Sequence, residues 1–320
     1  MKISIRLAVF FAILCTLFYG YTAFIVWQSE KEYPPEGSFL TKNGQSLHYI
    51  KAGNGPPLIL IHGDGGSLYD WKLSCFDTLS RHYTTIAIDR PGLGHSSTLQ
   101  NQSIEGQADF LHTCLSQLTT EKPVLICHSR GAEVGICLAL KYPNDVAGLV
   151  TLGGACFNTQ NNEPSWQYKL LQTPLLGPFL AHTFYVPASK PYIKAGLDKA
   201  FSPDKPAPQQ YIDTYAALFM KPQQVLNWAK DQDHVLLDNV LVPNYKNLKT
   251  PLVIVNGDKD ANLPLAFAQR FHKMVPGSRL ITVPNTGHEL HFNKPESIFA
   301  ALDSLGVRRS ARSLLFSNTR

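Results

Sequence analysis

Apolar runs without polar alternation fall at residues 58–61, 85–88, 124–127, 146–152 and 252–255, the pattern of strands buried on both faces. Between them, apolar positions recur at helical spacing around 70–81, 103–118, 132–142 and 263–275. A last strand over 279–283 and a last helix over 295–305 complete the series. Strand and helix thus alternate as in an α/β domain whose mostly parallel central sheet is flanked by helices. Ahead of it, Asn43-Gly44 lies between Phe39-Leu40 and Leu47-His48-Tyr49-Ile50, which predicts a tight hairpin.

The alternation stops at residue 157 and resumes near 249. The intervening stretch is rich in proline (Pro164, Pro174, Pro178, Pro187, Pro191, Pro203, Pro206, Pro208 and Pro222) and in aromatics, and reads as an inserted helical cap. Within it, 208–220 and 222–230 are expected to be helical, each with proline at a first turn, where its missing N–H costs nothing. The expected organisation is an N-terminal anchor or signal segment over 1–32, a core over 38–156 and 249–306, a cap over 157–248, and a basic tail over 307–320.

At the N-terminus, Lys2 and Arg6 precede an uncharged run over 7–29 that ends at Glu30, Lys31 and Glu32. At ~1.5 Å per helical residue the run reaches ~34 Å, enough for a hydrocarbon core of ~30 Å. The nearest small residues, Thr22 and Ala23, are embedded in apolar sequence, so an uncleaved anchor is expected rather than a signal peptide. Lys2 and Arg6 then stay cytoplasmic and the C-terminal domain lies across the membrane; cleavage would instead make the protein secreted. Cys15 follows Leu14 rather than a small residue, which argues against lipid attachment there.

With 320 residues and 44% apolar content the chain can bury a large core, which excludes general disorder. The net charge of +5 is thinly spread apart from Arg308, Arg309 and Arg312, read as a solvated end, so no nucleic-acid surface is expected. Beyond the anchor lie Cys75, Cys114, Cys127, Cys137 and Cys156, an odd number, so at least one thiol is free or intermolecular, and their spacing matches no zinc pattern.

Chemistry is concentrated at the ends of the predicted strands. Cys127-His128-Ser129-Arg130-Gly131 follows a core strand and opens a helix, the context of a nucleophile elbow, although Ser129 could equally cap that helix. A serine hydroxyl is a weak nucleophile until a base takes its proton and a third group orients that base. Downstream, Asp258 and Asp260 follow the strand that ends near Val255 and Asn256, and His288 follows the last strand. His291 is the rival base. His288-Glu289-Leu290-His291 is one residue short of the H-E-x-x-H zinc spacing, so neither metal nor cofactor is expected. His62 and His128 are read as loop supports, and Trp71, Trp166, Tyr168, Phe184, Tyr185, Tyr211, Tyr215, Phe219 and Trp228 mostly as cap core rather than pocket lining.

These motifs resemble the α/β-hydrolase superfamily in its cap-bearing esterase, lipase and carbon–carbon hydrolase branch. Besides the elbow and acid loop, the resemblance rests on His62-Gly63-Asp64-Gly65-Gly66, on Asp89-Arg90-Pro91-Gly92-Leu93-Gly94-His95-Ser96 and on Gly287-His288 through Pro295-Glu296, and it extends roughly over 39–305. Cys127 departs from the family's G-x-S-x-G at its first glycine. The resemblance implies Ser129 as nucleophile, His288 as base and Asp260, the third residue after Gly257, as orienting acid. It also implies an oxyanion hole made by the backbone N–H groups of Asp64 and Arg130, with the Asp64 carboxylate turned away or toward a cation such as Arg130. The expected substrate is a small, apolar ester, cleaved through an acyl-enzyme. Alternatives are a thioester, an amide, a carbon–carbon bond beside a ketone, or a non-catalytic membrane-tethered binding protein; Ser129 argues against the epoxide-hydrolase and dehalogenase branches, which use aspartate.

Overall fold

A computed structural model describes residues 2–158, 166–232 and 240–309; Pro164 and Arg312 lie outside the described residues. Eight strands form one sheet: β1 (Ser38–Lys42), β2 (Gln45–Ala52), β3 (Pro57–Ile61), β4 (Thr84–Ile88), β5 (Val124–His128), β6 (Gly148–Leu152), β7 (Leu252–Gly257) and β8 (Arg279–Val283). Their order is β1-β2-β4-β3-β5-β6-β7-β8, with β1 and β2 antiparallel and every pair from β4 to β8 parallel. The hairpin turn uses Asn43 and Gly44 at φ 51° and 76°, left-handed conformations that these residues tolerate.

Strand alternation sorts the apolar runs onto the two faces. Ile59, Ile61, Leu125, Cys127 and Ile254 pack against the helices Ile104–Leu118, Gly131–Lys141 and Leu265–Met274. Leu58, Leu60, Ile126, Val150, Val253 and Val255 pack on the other side with Trp71, Phe76, Leu79 and the helix Glu296–Ser304. Burial on both faces explains why these runs lack polar alternation. The helix expected over 70–81 is instead two, Tyr69–Lys72 and Phe76–Ser80. Ser74 lies at the break, its Oγ donating to the carbonyls of Asp70 at 2.6 Å and Trp71 at 3.2 Å.

Between β6 and β7 the described residues form a helical layer with its own apolar centre, built on Leu171, Val186, Phe201, Tyr211, Phe219 and Val225. The expected helices there are Gln209–Phe219 and Pro222–Asp231. Upstream lie helices that the prolines concealed: Trp166–Gln172, Leu176–Leu180, the wider π-helical turn Ala181–Tyr185, and Val186–Phe201, which keeps Pro191 inside it. The N-terminal helix Lys2–Glu32 is long and apolar enough to cross a membrane, or to serve as a signal sequence, and packs along this layer.

Candidate functional site

Ser129 occupies the turn between β5 and the helix Gly131–Lys141 at φ 49°, a strained conformation for a serine. Its backbone holds the turn in place: the N–H donates to Leu152 O at 3.0 Å, and its carbonyl accepts from Ala132 and Ala155 at 3.0 and 2.9 Å. Crowding at this turn is extreme. A Cβ on Gly63 would lie 3.0 Å from the Ser129 Cβ, and one on Gly131 would meet His62 O at 2.5 Å. Cys127, standing where the family motif has glycine, is fully buried against Gly135, where a Cβ would come within 2.4 Å of its Sγ. The missing side chain has in effect moved from the strand to the facing helix.

His288 and Asp260 come together from adjacent loops, with Nδ1 to Oδ2 at 2.7 Å, both buried. The other Asp260 oxygen accepts from the Asn262 and Leu263 N–H groups at 2.9 and 2.8 Å, so both carboxylate oxygens are held in place by donors. Burial alone would push the His288 pKa down, but the charge and hydrogen bond of Asp260 outweigh it and raise it above the ordinary value. Asp258 is exposed at the end of the strand, and the structure does not bring it to the histidine. Among the described residues no hydrogen bond joins Ser129 Oγ to His288, although both face one cavity. Such bonds are often long before substrate tightens the site.

Asp64 and Arg130 flank Ser129 at that cavity. The Gly63 carbonyl accepts from His62 Nδ1 at 3.0 Å and from Arg90 Nη1 at 3.2 Å. Because the Gly63–Asp64 peptide is trans, its N–H points opposite to that carbonyl. His62 Nε2 accepts from the Arg90 N–H at 2.9 Å, so His62 is the loop support expected of it. The Asp64 carboxylate accepts from the Gln232 amide at 2.8 Å.

Sequence reasoning missed the charged cluster behind this loop. Asp231, on a cap helix, accepts from Arg90 Nη2 at 2.8 and 2.7 Å and from Gln107 Nε2 at 2.8 Å, with Arg130 Nε 3.7 Å away and Arg130 Nη1 3.3 Å from Glu133. All are buried. Burial would raise the Asp231 pKa, but Arg90 and Arg130 overcome it and lower it, whereas burial wins at Glu133 and pushes it up to about 7. Nothing in the sequence marked Asp231, which is separated from Arg90 by 141 positions.

Beside His288, His128, Glu289 and His291 form a buried group whose potential ligand atoms lie within 4.8 Å of one another, a set able to hold a metal ion. His128 Nε2 already donates to the His288 carbonyl at 3.2 Å. Burial pushes His291 down to about 3 and Glu289 up to about 7. His291 packs against Trp71 at 4.8 Å between rings and is not among the residues lining the cavity, whereas His288 is.

The cavity measures about 540 Å³, the usual size of a small-molecule site. The aromatic side chains expected mostly in cap core divide differently: Tyr168, Tyr185, Tyr211, Tyr215, Phe219 and Trp228 line the cavity, while Trp71, Trp166 and Phe184 do not. All six cysteines are unpaired, five of them buried, where they act as small apolar residues.

Known proteins resemble this chain in sequence and fold. The family described as alpha/beta hydrolase fold matches residues 56–295. The chain is 25% identical over 283 residues to 2-hydroxy-6-oxo-6-(2'-aminophenyl)hexa-2,4-dienoic acid hydrolase of Metapseudomonas resinovorans, covering 85% of this chain and 91% of that protein. It is 25% identical over 254 residues to pimeloyl-[acyl-carrier protein] methyl ester esterase of Vibrio vulnificus, covering 78% and 94%. Among solved structures, a membrane phospholipase A described as a bacterial virulence factor superposes with a TM-score of 0.68 at 19% identity, over 95% of this chain and 99% of that one.

Proposed function

The chain belongs to the alpha/beta hydrolase fold family, and from that premise we propose that it is a serine hydrolase cleaving a carboxylic ester with an apolar acyl part. One arrangement carries the reading: a strained Ser129 and an Asp260-bound His288 face the same aromatic-lined cavity. Residues 157–248 act as the cap over a core of 38–156 and 249–306, and the N-terminal helix as a single-pass anchor with a cytoplasmic N-terminus.

The chemistry follows from the hydrogen bonds. Asp260 accepts a hydrogen bond from the Nδ1–H of His288, which fixes the tautomer and leaves Nε2 as the base. Ser129 Oγ attacks the ester carbonyl as Nε2 accepts its proton, and the developing oxyanion is met by the N–H groups of Asp64 and Arg130. Collapse expels the alcohol, protonated by His288, and leaves an acyl-Ser129. Water, deprotonated by the same imidazole, then releases the acid. The Metapseudomonas resinovorans relative supports a second reading, hydrolysis of a carbon–carbon bond beside a ketone on the same groups.

A fluorophosphonate probe tests the proposal. The wild type should be labelled and Ser129→Ala should not; full labelling of that variant would remove Ser129 from its role. Turnover of aryl esters against vinylogous diketones then separates the two readings.

A further inference from the structure

The cap holds an apolar stretch that the cavity alone does not explain. From Leu170 to Ser189, between Lys169 and Lys190, there is no acidic or basic residue other than His182. This stretch packs against the N-terminal helix at its apolar middle: the Phe184 ring lies 6.2 Å from Phe11 and 5.4 Å from Phe18, and His182 lies 6.0 Å from Tyr19. At ~1.5 Å per residue, Phe18 lies about 16 Å along the helix from Ser29, well inside the apolar run. The outward side of the same stretch is bare. Leu175 is 88% exposed, Phe179 41% and, near the middle of the helix Val186–Phe201, Tyr192 77%. It continues the surface of the N-terminal helix, where Phe10, Phe11, Ile13, Leu17 and Phe24 are all exposed.

We propose that this cap segment is embedded in the acyl region of a lipid bilayer beside the N-terminal helix, and that the cavity draws its substrate, an acyl ester of a membrane lipid, sideways from it. The backbone meets the requirement of that solvent. Leu176–Leu180, Ala181–Tyr185 and Val186–Phe201 run on as helix, so most of their backbone groups are bonded internally despite Pro187 and Pro191. The polar side chains follow suit: His182 Nδ1 donates to Pro178 O at 2.8 Å, Thr183 Oγ1 to Phe179 O at 2.7 Å and Ser189 Oγ to Val186 O at 2.9 Å. Thr16 does the same on the N-terminal helix, to Ala12 O at 2.9 Å. Side-chain hydroxyls turned back onto their own helix are what a medium without water selects.

The same helix forms a wall of the cavity. Tyr185, Ser189 and Ile193 line it from within, and Tyr192 belongs both to the lining and to the bare outer face, which marks the mouth. An acyl chain entering past Tyr192 therefore comes from the surface that also carries Leu175 and Phe179. The substrate part of the inference rests on the ester-hydrolase reading; the seating in lipid does not.

The test keeps these separate. The full chain is reconstituted into phosphatidylcholine–phosphatidylglycerol vesicles with an NBD fluorophore at Leu175→Cys, Phe179→Cys or, as a control at the opposite end of the sheet, Lys122→Cys. Doxyl-labelled lipid should quench the first two and spare the third. Quenching by aqueous iodide alone would overturn the seating, and so would a crosslink between two copies through Leu175→Cys, which would assign the face to a second molecule of this chain. In the activity arm, Phe179→Glu should lower hydrolysis of vesicle phospholipid at least tenfold while leaving p-nitrophenyl butyrate turnover unchanged. Equal loss on both substrates would overturn lateral entry. Quenching of the labelled Leu175→Cys and Phe179→Cys variants by doxyl-lipid, together with a wild type that hydrolyses no ester, would defeat the ester reading and the lipid substrate together while leaving the embedded segment in place.

Discussion

Asp231→Ala should damage both stability and catalysis, for reasons that a second variant can separate. Among the described residues the carboxylate is the sole acidic partner of the fully buried Arg90 guanidinium, in a salt bridge of 2.7 Å. Breaking a buried pair from one side costs about 3–5 kcal/mol, because the remaining charge stays desolvated. Gln107 Oε1 still accepts from Arg90 Nε at 3.2 Å and Nη2 at 3.0 Å, which argues for the lower end. At ~3 kcal/mol the melting temperature in detergent should fall by ~5 °C for a chain of this size. The catalytic effect comes through Arg90, whose Nη1 holds the Gly63 carbonyl and so aims the Asp64 N–H. Losing a whole oxyanion donor costs about a hundredfold or more in kcat, so its misalignment should cost at least ~10-fold with KM little changed. The paired variant Arg90→Met/Asp231→Leu replaces the ion pair with apolar volume and should recover most of the stability but not kcat. Thermal unfolding and steady-state kinetics on a soluble ester decide the matter. Stability within ~1 kcal/mol of wild type for Asp231→Ala would refute the burial argument. Wild-type kcat in the paired variant would refute the positioning argument.

Other expectations are more direct. Asp260→Asn should keep the fold and lower kcat on the order of ten thousandfold by leaving His288 in the wrong tautomer, while the exposed Asp258→Asn changes little; near-normal turnover of Asp260→Asn would move the acid. His288→Ala should abolish turnover and His291→Gln retain most of it, the reverse order displacing the base by one helical turn. Because Asp260 raises the His288 pKa above its ordinary 6.5, the acidic limb of a kcat/KM–pH profile should lie above pH 6.5, since the base must be neutral. The stability sign is opposite: the charged pair contributes fully below the unfolded pKa and fades as pH rises through the folded one, so activity grows where this contribution declines. Gly135→Ala should overpack against Cys127 and cost about 1–3 kcal/mol, and adding Cys127→Gly should restore most of the melting temperature.

Much of the core could be read from the chain because its signals are local. A strand buried on both faces must be apolar at successive positions, so Pro57–Ile61 and Val124–His128 announce themselves. The Asn43-Gly44 turn needs residues that tolerate positive φ, and Ser103, whose side chain accepts from the Gly106 N–H at 3.1 Å, marks a helix start. The cap was harder. Prolines that read as interruptions are housed in helices, with Pro187 in a first turn and Pro191 farther along the same helix. There, packing around Val186, Ile193 and Leu197 outweighs a propensity that a sequence window takes as decisive.

The hydrogen bonds that position the site obey a different logic, and this is why Asp231 stayed hidden while Asp260 did not. Asp260, beside Asp258 in the loop after a strand and a glycine, is singled out by resemblance to the family's acid loop, and there Asn262 and Leu263 supply it N–H donors. Asp231 ends a cap helix among Lys230 and Gln232, where an acid is ordinarily solvated. Only when the cap lies over the sheet does it meet Arg90, whose own motif gave no hint that its guanidinium faces inward. The exposed Leu175 and Phe179 are the converse case. Their apolarity is plain in the sequence, but its meaning depends on whether the fold covers them, and there the fold leaves them facing outward beside a helix long and apolar enough to cross a membrane. A buried acid and a bare leucine are thus the same kind of observation: each breaks the rule of its residue type, and each gains its explanation from what the cap touches.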